Sequence, residues 1–512
     1  MNAILILKTA ICLLLIAFVA ATRWSARFRS IVRSRLGGSR QHIAWGILGV
    51  LGIFGWINLG RFHHGAFIHH HEMFHYVIGS KYFKELGHTL LYHCAFVAEA
   101  TFGRVKNVER RRVRDLESKN LVFASRVLGN PEPCRQAFTI PRWNAFRADV
   151  AFFGQKAPDE EWARVFVDHG YNATPVWNLV GSALTNLGPV SDLMLTLLAL
   201  IDPALLLLAF FAVRWAFGGK VLAVMLFALG FGAPWDFGWT GGAFGRSFFV
   251  VAAIVGVCLL KKNRPVLGGA FLGGAALFQL FPVLLFAGSL VRLARGLVVH
   301  RKWDREAIRI VGGAVLAASL VVPLSFVSPG GPEAYSKFSL NITRHASRPN
   351  TSEIGLRPLV AFDPDKVDAR TQDYSREDPY AGFHEARKAV FQDRVAVFGL
   401  VALTIGVLFV LAILGLDSAW EATVAGVLMV PIVVAPACYY LVLLILVAPL
   451  LVSSPKRLFI GLGFLATTQF AALVFDWRDE RSVFVSAMLL VTIVWLLRLL
   501  ARRQAIEPDT VS

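Results

Sequence analysis

The sequence predicts an all-α polytopic membrane protein, a bundle of about 13 transmembrane helices with two large loops on one side of the bilayer. Hydrophobic residues make up 56% of the 512 residues and charged residues 17%. A soluble domain could not cover that much apolar surface with polar groups. The apolar runs at 195–216 and 482–500 are close to the ~20 residues that cross the hydrocarbon core. Because a backbone in lipid must satisfy its own hydrogen bonds, we expect these runs to be helices.

The basic residues predict how the helices are oriented. The formal net charge is +18, and many arginines and lysines stand in short clusters beside apolar runs, as the positive-inside rule requires. We therefore attribute the charge to membrane topology and to contact with membrane lipids, and we predict no nucleic-acid partner. The alternation of the clusters predicts a multi-pass protein of the plasma or inner membrane, with its N-terminus outside and its C-terminus inside.

The order of apolar and polar stretches divides the chain into six segments. Between residues 265 and 290 the chain is too short for two full crossings, and its Gly-rich start and Pro282 predict two short or re-entrant half-helices. The predicted segments are two N-terminal transmembrane helices at 1–60, an extracytoplasmic loop at 61–190, transmembrane helices at 191–327, a second extracytoplasmic loop at 328–393, C-terminal transmembrane helices at 394–503 and a cytoplasmic tail at 504–512.

Two of the five cysteines lie in the first polar loop, and the other three lie in apolar runs. Cys94 and Cys134 can form a disulfide if this loop faces an oxidising compartment. Their spacing alone does not establish the bond. The first loop is therefore the place where a disulfide is expected.

The first loop also holds a dense group of histidines. Eight of the thirteen histidines fall between positions 63 and 93, and residues 71–75 match the pattern HExxH. On a helix, His71 and His75 share one face and can hold zinc, with Glu72 as the base. The match lies in a polar loop, and no third ligand is evident from the sequence. The histidines can therefore be either a zinc site or a plain solvated cluster at the membrane interface, and the sequence leaves both interpretations open.

The stretch that begins at Glu72 carries a resemblance as well. Residues 72–83 read EMFHYVIGSKYF, and Leu86-Gly87 and Leu91-Tyr92 follow them. This stretch resembles the opening loop of the GT-C glycosyltransferase superfamily. Within that superfamily it is most similar to the polyprenyl-phosphate-mannose-dependent mannosyltransferase-like proteins of family 87.

Two later stretches resemble the same family. Residues 259–282 are similar to its basic turn, Gly-rich helix and terminal proline, and residues 330–345 are similar to its second external loop. The chain departs from the family by having Glu72 where aspartate is usual and Gln279 where lysine is frequent. It also has an additional N-terminal helix, so its second helix corresponds to the family's first.

The resemblance implies an inverting GT-C enzyme of the cell envelope. Such enzymes move a mannose-like sugar from a polyprenyl-phosphate donor to a hydroxyl of a lipid or glycan acceptor on the extracytoplasmic face. The chemistry needs a carboxylate to accept a proton and cations to stabilise the departing phosphate. Glu72 is the predicted general base, with Asp168 and Asp236 as alternatives. The predicted phosphate-binding residues are His75, Lys81, Arg246, Arg344 and His345, and the predicted sugar or acceptor pocket contains Tyr76, Tyr171, Trp177 and Trp239.

Two other functions stay open. A polytopic transporter or lipid flippase would more often show paired broken helices in two matching halves, and the sequence shows one such pair. A zinc-dependent membrane hydrolase would use His71 and His75. Long outer loops with acidic and aromatic residues favour the transferase. The sequence assigns no firm cofactor and leaves a divalent metal open.

Overall fold

The computed structural model describes residues 3–25, 30, 39–63, 65–103, 108–299 and 301–502. Most of this chain is helical, and one small antiparallel sheet pairs Arg112–Arg114 with Leu121–Phe123. The predicted helical class is therefore confirmed for the described residues. The predicted cytoplasmic tail at 504–512 lies outside them.

Seven helices within the described ranges are long and apolar enough to cross a membrane, as judged by length and composition. An eighth span results if two helices that meet at 75° are counted as one bent element. These helices support a helical membrane protein, and the count of about 13 spans stays a prediction. The seven are Ala3–Thr22, Asp192–Phe217, Phe281–Val298, Arg305–Ser325, Val395–Leu414, Pro455–Val474 and Arg478–Ala501, the bent pair is Gly219–Phe231 with Ala233–Thr240, and the shorter apolar helices are Gln41–Trp56, Phe248–Lys261, Pro265–Phe278, Ala419–Val433 and Cys438–Val452.

The outward faces of the long helices are apolar. Leu208 on the helix Asp192–Phe217 is 64% exposed, and Leu400 on Val395–Leu414 is 67% exposed. Large apolar faces of this kind are unfavourable in water and suit contact with lipid tails.

Glycines let neighbouring helices approach closely in the apolar region. A Cβ atom built on Gly230 would lie 2.0 Å from the carbonyl oxygen of Gly52, on the facing helix. A Cβ atom on Gly313 would likewise lie 2.0 Å from the carbonyl oxygen of Val266. Small residues at helix crossings allow the backbones to contact each other, which is the usual basis of helix packing in membranes.

The segment predicted as two half-helices contains a break, but the second helix is longer than expected. Pro265–Phe278 ends before Gln279, and the chain continues as a tight turn at Phe281–Phe286 and a helix at Ala287–Val298. The predicted half-helices lie within residues 265–290, whereas the second helix continues to Val298. Arg292 stays in the helix, where its guanidinium pairs with Asp304 at 3.0 Å.

Short helices build the two polar loops between the long ones. Those of the first loop surround a buried aromatic core in which Phe74 contacts Phe153 and Trp162 edge-on and lies near Phe166 at a tilted angle. The first loop contains Asn58–Gly60, His70–Met73, Phe74–Ile78, Gly79–Lys81, Phe83–Leu86, Leu91–Ala100, Ala124–Leu128, Glu132–Ala137, Ile140–Lys156, Asp159–Val165 and Pro175–Thr185, and the second contains Glu333–Ala346, Leu356–Val360, Asp368–Thr371 and Ala381–Asp393.

A disulfide joins two helices of the first loop. Cys94 in Leu91–Ala100 and Cys134 in Glu132–Ala137 are bonded, with 5.4 Å between their Cα atoms. The pairing that the sequence left open is therefore present. The bond fixes the helix that also carries Tyr92, a residue of the site described next.

Candidate functional site

The HExxH residues lie on a continuous series of helical turns. His70–Met73 runs directly into a π-helical turn at Phe74–Ile78, a widened turn that is frequent at functional sites. The backbone N–H of His69, just before the first turn, donates to the carbonyl of Gly242 at 3.0 Å. The turns are therefore anchored to the loop that precedes Phe248–Lys261. As predicted, His71 and His75 lie on one face, with 5.0 Å between their ring centroids.

Asp168 reaches this face from the loop that follows Asp159–Val165. His71 Nε2 donates to Asp168 Oδ2 at 2.9 Å, and His75 Nε2 lies 4.0 Å from the same oxygen. Arg114 holds the loop in place, because its Nε donates to the carbonyl of Asp168 at 2.8 Å. The structure thus supplies a third residue beside the two histidines, which the sequence did not reveal.

The charges of this group differ from one residue to the next. Burial raises the pKa of Glu72 above 4.5, with Asp168 adding to the effect and Arg246 opposing it. Burial opposes ionisation of Asp168, but the hydrogen bond from His71 and the neighbouring imidazoles hold its pKa well below 3.8. Burial lowers the pKa of His75 to about 4, so this ring is neutral at pH 7. Glu72 is therefore the more basic of the two carboxylates.

Arg246 brings a cation directly to Glu72. Its Nε lies 3.4 Å from Glu72 Oε2, and the Glu72 side chain is 15% exposed. The guanidinium also donates to the hydroxyl of Tyr76 and lies 4.4 Å from the centre of that ring. A second aromatic residue, Tyr439, has its ring centre 5.1 Å away. The predicted base, one predicted phosphate-binding residue and one predicted pocket residue therefore meet at one point.

The backbone of Arg246 is held by an acid within a long apolar helix. Asp202 Oδ2 accepts from the N–H groups of Arg246 and Ser247 at 2.8 and 3.0 Å. Asp202 lies in Asp192–Phe217, directly before Pro203. An acid in such a helix is expected to have a function, and here it fixes the loop that presents Arg246.

A cavity lies on the side of Arg246 that faces the apolar helices. The cavity is small, with about 40 Å³ of space inside it. Its wall combines the charged groups Asp202, Asp236 and Arg246 with aromatic and aliphatic side chains, which include Trp56, Leu206, Trp235, Phe249, Tyr439 and Tyr440. Such a mixture suits a ligand with an anionic group and an apolar tail.

Asp236 lies in the cavity wall but is already paired. Its Oδ2 accepts from Lys8 Nζ at 2.8 Å, and its Oδ1 accepts from Asn58 Nδ2 at 3.0 Å and from the backbone N–H of Gly238 at 2.9 Å. Lys8 comes from the first apolar helix and its side chain is 3% exposed. These contacts make Asp236 a structural partner of the N-terminal helix and a weaker candidate for the base.

Replacing Lys8 with methionine is expected to lower the free energy of unfolding by roughly 1 kcal/mol, because Asp236 loses its cation but is 30% exposed and keeps its bonds from Asn58 and Gly238. Thermal unfolding in detergent measures the effect. The double variant Lys8→Met/Asp236→Asn serves as the control and should recover part of the loss, since no charge is then left alone. Equal melting temperatures for the wild type and Lys8→Met would contradict this role.

Several predicted residues are engaged away from Arg246. Lys81 Nζ forms a buried ion pair with Asp149 at 2.8 Å and also donates to the carbonyl of Gly188. Arg344 pairs with Glu117 at 3.4 Å near the surface of the loops. Lys81 and Arg344 therefore do not join the cation at Glu72.

The other predicted histidine and aromatic residues occupy the surroundings of the site. His345 contacts the ring of His169 edge-on, next in sequence to Asp168, with 5.4 Å between the centroids. Tyr171 and Trp177 are buried, and their ring centroids lie 5.7 and 5.0 Å from that of Tyr76. Trp239 lies 6.0 Å from Tyr439. These residues support Tyr76 and the loops, while Tyr76 itself contacts Arg246.

The chain was compared with protein-family models, with curated proteins and with solved structures. No protein-family model, no curated protein and no solved structure matches the chain.

Proposed function

We propose that the chain is a GT-C type membrane glycosyltransferase that moves a mannose-like sugar from a polyprenyl-phosphate donor to an acceptor hydroxyl. The proposal rests on the contact between Glu72 and Arg246, 3.4 Å apart, and on the position of Arg246 in the wall of the cavity. A base and an anion-binding cation are the two groups that sugar transfer from a lipid phosphate requires. The apolar part of the same wall suits the polyprenyl chain.

In the proposed reaction Glu72 accepts the proton of the acceptor hydroxyl. The acceptor oxygen forms a bond to the anomeric carbon of the sugar as the bond from that carbon to the phosphate oxygen breaks. The electron pair leaves with the polyprenyl phosphate, and the guanidinium of Arg246 stabilises its charge. A single displacement of this kind inverts the anomeric configuration. The raised pKa of Glu72, caused first by burial, favours proton acceptance near neutral pH.

The two alternative bases fit this role less well. Asp168 is held by His71 at 2.9 Å, and the hydrogen bond and nearby imidazoles keep its pKa low despite burial. Asp236 is paired with Lys8 and Asn58. Asp168 is a weaker base because its ionised form is stabilised, and Asp236 would have to leave its partners before it could accept a proton from the acceptor.

The proposed location of the site is the extracytoplasmic side of a multi-pass plasma or inner membrane protein. The disulfide between Cys94 and Cys134 supports this assignment, because disulfides persist in oxidising compartments. The acceptor is then a lipid or glycan of the cell envelope.

Transport and hydrolysis are the alternatives. The bent pair Gly219–Phe231 and Ala233–Thr240 is one broken element of the kind found in transporters. The position of Asp168 beside His71 and His75 adds a third candidate ligand to the two histidines, and this supports a metal-dependent hydrolase. In such an enzyme the glutamate of HExxH acts on a metal-bound water, whereas Glu72 is paired with Arg246.

The test is transfer by the purified chain in liposomes that contain labelled polyprenyl-phosphate mannose and membrane acceptors. We expect the acceptor to gain the mass of one hexose and the donor to become polyprenyl phosphate. Movement of unchanged lipid between the leaflets, with no product formed, would replace the proposal with a flippase. Zinc-dependent cleavage of a substrate without sugar transfer would replace it with a hydrolase.

A further inference from the structure

We propose that His71, His75 and Asp168 form a zinc-binding site. One ligand atom from each residue lies within 4.8 Å of the other two. Zinc bonds of about 2.1 Å in a tetrahedral site bring ligand atoms to roughly 3.4 Å from one another. The observed distances of 2.9 Å from His71 and 4.0 Å from His75 to Asp168 Oδ2 bracket that value. Each of these two distances differs from that value by roughly 0.5 Å.

The set of ligands is one that zinc prefers. Two imidazole nitrogens and one carboxylate oxygen, with a fourth position left for water or substrate, are typical of catalytic zinc sites. The exposure of the residues agrees with this arrangement, because the side chain of His75 is 3% exposed, that of His71 is 31% exposed and that of Asp168 is 34% exposed. One ligand is thus fixed in the core, and the other two border the solvent.

Residues around the three ligands hold them in position. The Tyr92 hydroxyl lies 2.6 Å from His75 Nε2 and accepts from the backbone N–H of Gly170 at 2.8 Å. Zinc at His75 would take the place of this hydroxyl on the ring nitrogen. Arg114 fixes the backbone of Asp168. The Arg114 contact is of the outer kind that orients a metal ligand and raises metal affinity, whereas the Tyr92 hydroxyl competes with zinc for His75 Nε2.

The inference concerns metal binding and stands independently of sugar transfer. When bound, zinc supplies a Lewis acid that polarises an oxygen bound at its open position. His71, Asp168 and Glu72 are close in sequence or in space, and the charges of Asp168 and His71 act on Glu72. The metal site would therefore border the proposed base.

Zinc binding is measured on the full-length protein, purified without a histidine tag, stripped with a chelator and titrated with zinc chloride in a calorimeter. We expect about one zinc ion per chain. His71→Ala and Asp168→Asn are each expected to weaken binding by more than about 100-fold, since each removes a ligand. His70→Ala is the matched control and should bind like the wild type, because His70 is next in sequence yet is influenced by Lys156 and Asp192 on the other side of the turn.

The inference fails if the folded wild type binds no zinc, or if Asp168→Asn binds zinc as tightly as His70→Ala does. Melting temperatures identify variants that do not fold. Tyr92→Phe provides a milder change, because it keeps all three ligands and removes only the hydroxyl on His75, so it must retain the zinc ion.

Glu72→Gln separates the two proposals, because it should keep zinc and lose transfer. Zinc binding without any transfer would refute only the transferase, and transfer by a wild type that binds no zinc would refute only the metal site.

Discussion

Replacing Glu72 with glutamine is expected to lower the turnover number of sugar transfer by about 100- to 10,000-fold, which is the contribution of a positioned general base. Glutamine keeps the shape of the side chain and can still contact Arg246, but it cannot accept a proton. The measurement is the initial rate of product formation with equal amounts of folded wild type and variant. The zinc content of the variant should stay that of the wild type.

Glu85→Gln is the control for this experiment. Glu85 lies in the same loop and is also paired with an arginine, Arg142, at 2.6 Å. If the loss of activity came only from weakening an arginine–carboxylate pair, the two variants would lose activity alike. If the Glu72→Gln variant keeps half of the wild-type rate, Glu72 is not the general base. Asp168 would then be the next candidate.

Replacing Arg246 with glutamine is expected to reduce kcat/KM for the lipid donor by about 100- to 1,000-fold, the usual effect of removing one group that stabilises charge in a transition state. Arg246→Lys should recover part of the loss, because it restores the charge without the planar guanidinium that rests on Tyr76. Kinetics with varied donor at saturating acceptor measure both variants.

The matched control is Arg292→Gln, which removes a paired arginine from another part of the chain. Arg292 contacts Asp304 and Glu306 and does not line the cavity around Arg246. We expect it to change thermal stability and to leave the donor KM unchanged. Arg246 would have no part in donor binding if its glutamine variant showed the same donor kinetics as Arg292→Gln.

The membrane helices were predictable because their signal is local. A run of about 20 apolar residues needs no knowledge of the rest of the chain, and the predicted 195–216 became Asp192–Phe217. The ends are less well defined by hydropathy, since helices extend through capping residues such as Ser191 and through charged residues that find partners. The helix Ala287–Val298 is longer than predicted because Arg292, a charged residue within it, is paired with Asp304.

Sequence periodicity connects site residues only where they are close in the chain, whereas Arg246 and Tyr76 were named through the family resemblance. The spacing of His71 and His75 places them on one face of a helix, and this was confirmed. Asp168 is 97 residues from His71, so no periodicity connects them. The pair between Lys8 and Asp236 was also missed, although one lysine in an apolar run is a signal for a buried partner. That partner could not be named without the fold.

A structure of the protein in a lipid nanodisc with a polyprenyl-phosphate sugar bound would show whether the donor binds at Glu72 and Arg246. We expect the lipid phosphate at the cavity within hydrogen-bond reach of the Arg246 guanidinium, with the sugar facing Glu72 and the polyprenyl chain between the apolar helices. Donor density elsewhere on the protein, with the Glu72–Arg246 pair intact and the cavity empty, would contradict this expectation.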